Sequence, residues 1–116
     1  MRKSNLIVIG MAVAVSCSLA LGQSPKGKKG AAAGDAAKGQ EVFMQCSVCH
    51  NADSTEKKMG PGLKGLFKNE KLANGKKPTE ANVRTQIDEG GNGMPSYKDM
   101  LSDAEKNDLI AYLKTL

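Results

Sequence analysis

The stretch Cys46-Ser47-Val48-Cys49-His50 places two thiols and one imidazole within a single turn of backbone. On a helical turn, positions i, i+3 and i+4 share a face, so Cys46, Cys49 and His50 aim at one object. The Cys-x-x-Cys-His spacing reads as covalent attachment of a c-type haem. Cys46 and Cys49 then add to its two vinyl groups as thioethers, and His50 is held under the iron as the proximal nitrogen ligand. Three other readings compete. Zinc asks for four N or S ligands, and beyond residue 22 the chain has only these two cysteines and this one histidine. A thioredoxin-like redox pair belongs in a βαβ setting, and no alternating apolar strand precedes Cys46. A structural disulfide, or two chance cysteines, leaves the adjacent histidine without a reason.

The segments on either side of the motif carry helical signals. Asp35 is placed to cap a helix beginning at Ala36, and Val42, Phe43 and Cys46 give that helix one apolar face. Gly39 costs it about 1 kcal/mol relative to Ala but leaves a gap through which another backbone can approach. After His50 the chain is polar and turn-rich through Met59-Gly60-Pro61-Gly62-Leu63, and Lys64 to Lys77 reads as loop or short helix around Leu66, Phe67 and Leu72. Thr79 caps a second helix to Glu89, with Val83 and Ile87 as its buried pair and Gly90 as its stop. Gly90-Gly91-Asn92-Gly93-Met94-Pro95 follows, and Pro95 biases Met94 to an extended conformation. Ser102 and Glu105 form a capping box for a last helix, whose apolar stripe is Leu109, Ile110, Tyr112, Leu113 and Leu116. Three helical signals and no convincing strand predict an all-α domain.

Composition bounds the rest. A chain of 116 residues has room for one domain. Only 3% of its residues are aromatic and none is Trp, so a core of side chains alone would be thin. A buried haem supplies the missing apolar mass. The formal charge of +5 comes from Arg2, Lys3, Lys26, Lys28 and Lys29, because residues 35–116 hold 12 basic and 12 acidic side chains. A nucleic-acid partner therefore has little support.

Residues 1–22 have the form of an export signal: Arg2-Lys3, an apolar run from Leu6 to Val15, and a small-residue cleavage site at Ala20-Leu21-Gly22. The expected location is the periplasm. Two alternatives stand beside cleavage: an uncleaved anchor, since the apolar stretch is marginal for a span, and acylation of Cys17 in Ala14-Val15-Ser16-Cys17, a weak lipoprotein box. Residues 23–34 read as a flexible basic linker, either a solvated spacer or an arm for acidic partners or anionic headgroups. Residues 35–116 form the expected domain.

His50 is the sole histidine, so the sixth iron ligand comes from Met, Lys, water or another chain. Of the methionines beyond the leader, Met44 lies on the motif's own helix, Met59 in the loop near the proximal side, and Met100 just before the last helix. Met94 lies in an extended loop whose glycines permit close approach to a flat ligand. Position alone leaves axial ligand and apolar filler equally open.

Over about residues 34–116 the sequence resembles class I cytochromes c, in particular the small bacterial electron carriers. The helix Gly34 to Phe43 ahead of the motif looks like the family's first helix, in which the residues matching Gly39 and Phe43 pack across the C-terminal helix near those matching Leu109 and Tyr112. Gly60-Pro61-Gly62-Leu63 is similar to the loop whose proline carbonyl accepts the proximal histidine's Nδ1 proton. Gly93-Met94-Pro95-Ser96-Tyr97 looks like the methionine loop. The resemblance implies a small cytochrome c fold of three to five helices around one haem c. It implies Met94 as the distal ligand, with Pro61, Leu63 and Tyr97 among the haem surroundings. No Trp is present to contact a propionate; Arg84 and Tyr97 are the candidates for that role. The strong lysine ring that some members use for docking is also missing.

The function implied is a one-electron shuttle between respiratory or other periplasmic redox proteins, monomeric and without enzymatic activity. Two alternatives are a haem-based ligand sensor or peroxidase-like domain with an open iron, and a haem subunit docked to a larger oxidoreductase through the Lys26 to Gly34 arm. A membrane is involved only if the N-terminal segment is retained.

Overall fold

The computed structural model describes residues 33–116. The expected signal segment, Cys17 and nearly all of the linker lie outside the described residues. Three α-helices follow one another: α1 (Ala36–Phe43), α2 (Glu80–Glu89) and α3 (Asp103–Leu113), with a 3-10 turn at Leu66–Lys68 between the first two. Among the described residues there is no strand, only an isolated antiparallel bridge between Gly91 and Met94. No helix among them is long and apolar enough to cross a membrane.

Each helix begins where a side-chain oxygen meets unpaired backbone N–H groups. Asp35 accepts from the amides of Ala37 and Lys38, and Thr79 accepts from Asn82. Ser102 and Glu105 exchange hydrogen bonds as a full capping box. The Asp35 amide in turn donates to the Asp108 carboxylate at 2.7 Å, tying the start of α1 to α3.

The α1–α3 crossing is the centre of the packing. Gly39 is buried, and a Cβ placed on it would run into the Asp108 carbonyl and lie 2.8 Å from Tyr112 Cβ. Only a residue without a side chain lets the two backbones come this close. One turn further on, the Phe43 and Tyr112 rings meet at 5.4 Å between centroids with planes tilted by 54°, an attractive tilted arrangement. Phe43, Leu66, Val83, Ile87, Leu101, Leu109, Ile110 and Leu113 form the buried core. Each contributes about 1.5–3 kcal/mol by leaving water. Leu66 is the single fully buried core residue supplied between α1 and α2, and Leu63, Phe67 and Leu72 pack against the core beside it.

Candidate functional site

Beyond Phe43 the chain stays helical in character. The Cys46 and Ser47 amides both donate to Phe43 O, at 2.8 and 3.0 Å, and the Cys49 and His50 amides both donate to Cys46 O, at 3.1 and 2.9 Å. This closed turn brings Cys46, Cys49 and His50 together, as the i, i+3, i+4 spacing requires. Both cysteines are partly buried free thiols. Burial pushes the Cys46 thiol above its ordinary pKa, and the neighbouring Cys49 adds to the rise.

His50 Nδ1 lies 2.8 Å from the Pro61 carbonyl oxygen. A carbonyl only accepts, so Nδ1 carries the proton and donates it, which leaves Nε2 with a free lone pair. The Gly60–Leu63 loop is fixed to the motif by amide bonds from Gly60 to Cys49 O and from Leu63 to Asn51 O, each 2.8 Å. Gly60 has no room for a side chain: its Cβ would stand 2.5 Å from His50 Cε1 and 2.8 Å from Nδ1. Lys58 Nζ donates to Ser47 O at 2.9 Å and covers the outer side of the turn.

The methionines separate by exposure. Met44, Met59 and Met100 are 69, 79 and 63% exposed, whereas Met94 is partly buried. Met59 Sδ sits 3.9 Å from Cys49 Sγ on the outside of the site. Met94 pairs with Gly91 through two backbone hydrogen bonds of 2.9 and 3.0 Å, and positive φ values at Gly90, Gly91, Asn92 and Gly93 turn the chain sharply before it. The loop closes where the Tyr97 amide donates to Ile87 O at 3.0 Å. Burial raises the Tyr97 phenol above its ordinary pKa, and the thiols of Cys46 and Cys49 raise it further. Tyr97, at the end of the methionine loop, and Cys46 both pack against the same core.

These residues fit a covalently tethered haem: two free thiols on one turn, a histidine tautomer with Nε2 unprotonated, and a partly buried thioether on a loop reaching the same region. Leu63, Phe67, Leu72 and Tyr97 pack on the core while remaining partly exposed, an apolar lining of the kind a porphyrin needs. Among the described residues, no group of three or more His, Cys, Asp or Glu is placed to hold a bare metal ion. Arg84, one of the two candidates for a propionate contact, is committed elsewhere. Its guanidinium bonds Asn107 at 3.0 Å and Asp103, and lies 3.5 Å from Asp88.

Two residues of this region were not evident from sequence. Gln86 Nε2 donates to Gly90 O at 2.9 Å and points at Met94 Sδ at 3.8 Å, while Asn74 donates to Gln86 Oε1 at 2.8 Å. Its place three residues after Val83 and one before Ile87 was the available signal. Lys106 is 3% exposed; it lies three and four residues before Leu109 and Ile110, on their stripe.

The fold and the site together are those of a small all-α domain built around a Cys-x-x-Cys-His turn, and comparison with known proteins shows its family. The family model for cytochrome c matches residues 36–116. A cytochrome c2 of Blastochloris viridis is 55% identical over 38 residues, 32% of this chain and 30% of that protein, so that match spans under a third of its length. A cytochrome c2 of Rhodospirillum rubrum is 33% identical across 73% of this chain and 83% of that protein. Among solved structures, cytochrome c6 from the diatom Phaeodactylum tricornutum superposes with a TM-score of 0.55 at 30% identity, covering 71% of this chain and 93% of that one. The chain belongs to the cytochrome c family, in its class I monohaem branch, as an electron carrier and not an enzyme.

Proposed function

We propose that this protein carries single electrons between redox proteins of the periplasm, through one haem c tethered by Cys46 and Cys49 and ligated by His50 and Met94. The observation that carries this reading is the His50 Nδ1 to Pro61 hydrogen bond. It fixes the ring's tautomer and orientation, directs the Nε2 lone pair outward, and makes that nitrogen more basic as a ligand. When bound, the haem supplies reversible one-electron chemistry at its iron, at a potential raised by thioether ligation.

The chain's own residues do the remainder. Cys46 and Cys49 hold the group in register on a turn continuous with α1. Met94 Sδ would supply the second protein ligand to the iron, which would deny that place to water or substrate and keep ligation the same in both oxidation states. Partly exposed Leu63, Phe67, Leu72 and Tyr97 would shield the haem from water. Exposed Val48 and Met59 flank the cysteines, where a redox partner makes a small and short-lived contact. The cytochrome c2 and c6 relatives support redox proteins as donor and acceptor, and a c2-like carrier with a leader such as residues 1–22 belongs in the periplasm.

The test is the optical spectrum of the protein matured with a haem-attachment system, oxidised and reduced, with carbon monoxide added to the reduced form. A low-spin spectrum, a weak ferric iron-to-sulfur band and no response to carbon monoxide are expected. A high-spin or carbon-monoxide-sensitive spectrum would overturn His-Met ligation in favour of an open-site sensor.

A further inference from the structure

The C-terminal end of the Met94 loop is held by a buried charge. Lys106 lies in the first turns of α3, on the stripe it shares with Leu109, Ile110 and Leu113, and its side chain is only 4% exposed. An apolar side chain there would continue the stripe, whereas removing an ammonium from water costs several kcal/mol unless it is paired and hydrogen-bonded. Its contacts account for it. Nζ donates to the Lys98 carbonyl at 2.8 Å and lies 2.7 Å from Asp88 Oδ1, an ionic contact without hydrogen-bond alignment.

Those two partners stand on either side of the loop's closure. Asp88 is in the last turn of α2, and its own backbone carbonyl accepts from Ser96 Oγ; the Ile87 carbonyl beside it accepts from the Tyr97 amide. Lys98 is the next residue along. Residues 96, 97 and 98 are thus each tied down, the first two to α2 and the third to α3 through Lys106. Arg84 completes the setting: it faces Asp88 from one turn earlier and bonds Asp103 and Asn107 of α3. Because Arg84 already serves two acceptors on α3, Lys106 is the cation that joins Asp88 to the loop backbone.

We propose that Lys106 is a positioning residue for the axial methionine: its buried ammonium, seated between the Asp88 carboxylate and the Lys98 carbonyl, keeps the Met94 loop closed and Met94 Sδ at the iron. This rests on the reading of Met94 as distal ligand. Without the ammonium, the loop keeps Tyr97–Ile87 and Ser96–Asp88 but loses its tie to α3, and Asp88 is left facing only the unaligned Arg84.

The experiment uses the ferric holoprotein and imidazole, a small ligand that binds iron only when Met94 leaves. Lys106→Met preserves length and apolar contact. It is expected to attach haem normally and to bind imidazole about tenfold tighter or more, the size of effect given by one lost hydrogen bond to a charged group. Exchange of the Tyr97 amide should accelerate with it. Lys106→Arg should restore both values towards the parent. Ser102→Ala, which weakens α3 without touching Lys98, should leave imidazole affinity unchanged. Parental affinity in Lys106→Met, or an equal rise in Ser102→Ala, would overturn the proposal. If Lys106→Met fails to accumulate, Asp88→Asn must show a smaller rise of the same sign, and no rise there refutes it equally. Failure of the underlying reading has a different signature: a parent protein lacking the iron-to-sulfur band, with Met94→Ala spectroscopically silent.

Discussion

The two axial candidates are held in opposite ways. His50 sits on a turn that continues α1, with its amide bonded to Cys46, its ring bonded to Pro61, and no room at Gly60 for the ring to swing. Met94 follows a run of positive-φ residues in a loop, and its Sδ receives a contact from Gln86 Nε2 at 3.8 Å. One candidate is built into a turn that continues a helix, and the other is held by closing a loop. On the ligation we propose, a fault in the first region would remove the cofactor, while a fault in the second would leave it in place and change its ligation.

The largest effect tests the first half of that contrast. His50→Ala should lower covalently bound haem by more than about tenfold, beyond the lower end of the range seen when merely a supporting group of a metal ligand is lost. Haem staining of the denatured protein measures it. Full attachment in the variant would mean that the cysteines alone organise the turn. Met94→Ala tests the other half. It should retain the haem, lower the potential, remove the iron-to-sulfur band and admit carbon monoxide, by redox titration and optical spectroscopy. Loss of haem in this variant would erase the distinction between the two regions.

Gly39→Val probes the scaffold that both regions share. The added side chain must displace the Asp108 backbone, and overpacking of this kind costs about 1–3 kcal/mol. Denaturant unfolding should show that loss without a change in axial ligation. A variant as stable as the parent would mean that α1 and α3 slide apart freely, and the turn after α1 would not be as rigid as the comparison requires.

The local chemistry of the chain made most of this architecture legible. Asp35, Thr79 and the Ser102–Glu105 box mark helix starts because orphan amides need nearby oxygens, and all three lie where such side chains precede an apolar period. Val83 and Ile87 were readable as a buried pair for the same reason. The closed Cys-x-x-Cys-His turn was readable because the spacing that shapes it lies within five residues. Other features depend on contacts between distant segments. Nothing local says that Arg84 bonds Asp103 and Asn107 of α3, because those partners are brought to it only by packing. Lys106 breaks an apolar stripe in sequence, yet its purpose lies in a carbonyl and a carboxylate on two other segments. Gln86 is similarly silent until Asn74 and Met94 are folded around it.

Gln86 sharpens the comparison on a smaller scale. Gln86→Leu keeps the volume roughly constant but removes the donor to Gly90 O and Met94 Sδ, and leaves Asn74 without its acceptor. Hydrogen bonds of this kind contribute about 0.5–1.5 kcal/mol each. The expected result is a modest change in potential with Met94 still bound, far short of the Met94→Ala effect. A redox titration that shows no difference would leave Met94 held by loop closure alone.

The smallest effect concerns the base of the methionine loop, where α3 begins. Ser102 donates to Glu105 through its amide at 2.8 Å and its hydroxyl at 2.9 Å, and both bonds hold the Glu105 carboxyl below its ordinary pKa. A carboxylate whose folded pKa is depressed stabilises the fold at all pH values above its unfolded pKa. That contribution fades as the pH falls through the ordinary glutamate value, about 4.3, and is gone below the lower folded value. Acid should thus loosen the first turn of α3 at the foot of the loop, before it disturbs the turn that holds His50, while the Lys106 ties to Lys98 and Asp88 persist. Stability measured from neutral to acid pH should fall less steeply in Glu105→Gln than in the parent over that window. In the parent, amide exchange near Ser102 should rise ahead of exchange at His50. Equal rates at both places would show that the two regions open as one unit, and the distinction between a turn-borne candidate ligand and a loop-borne one would hold for geometry but not for dynamics.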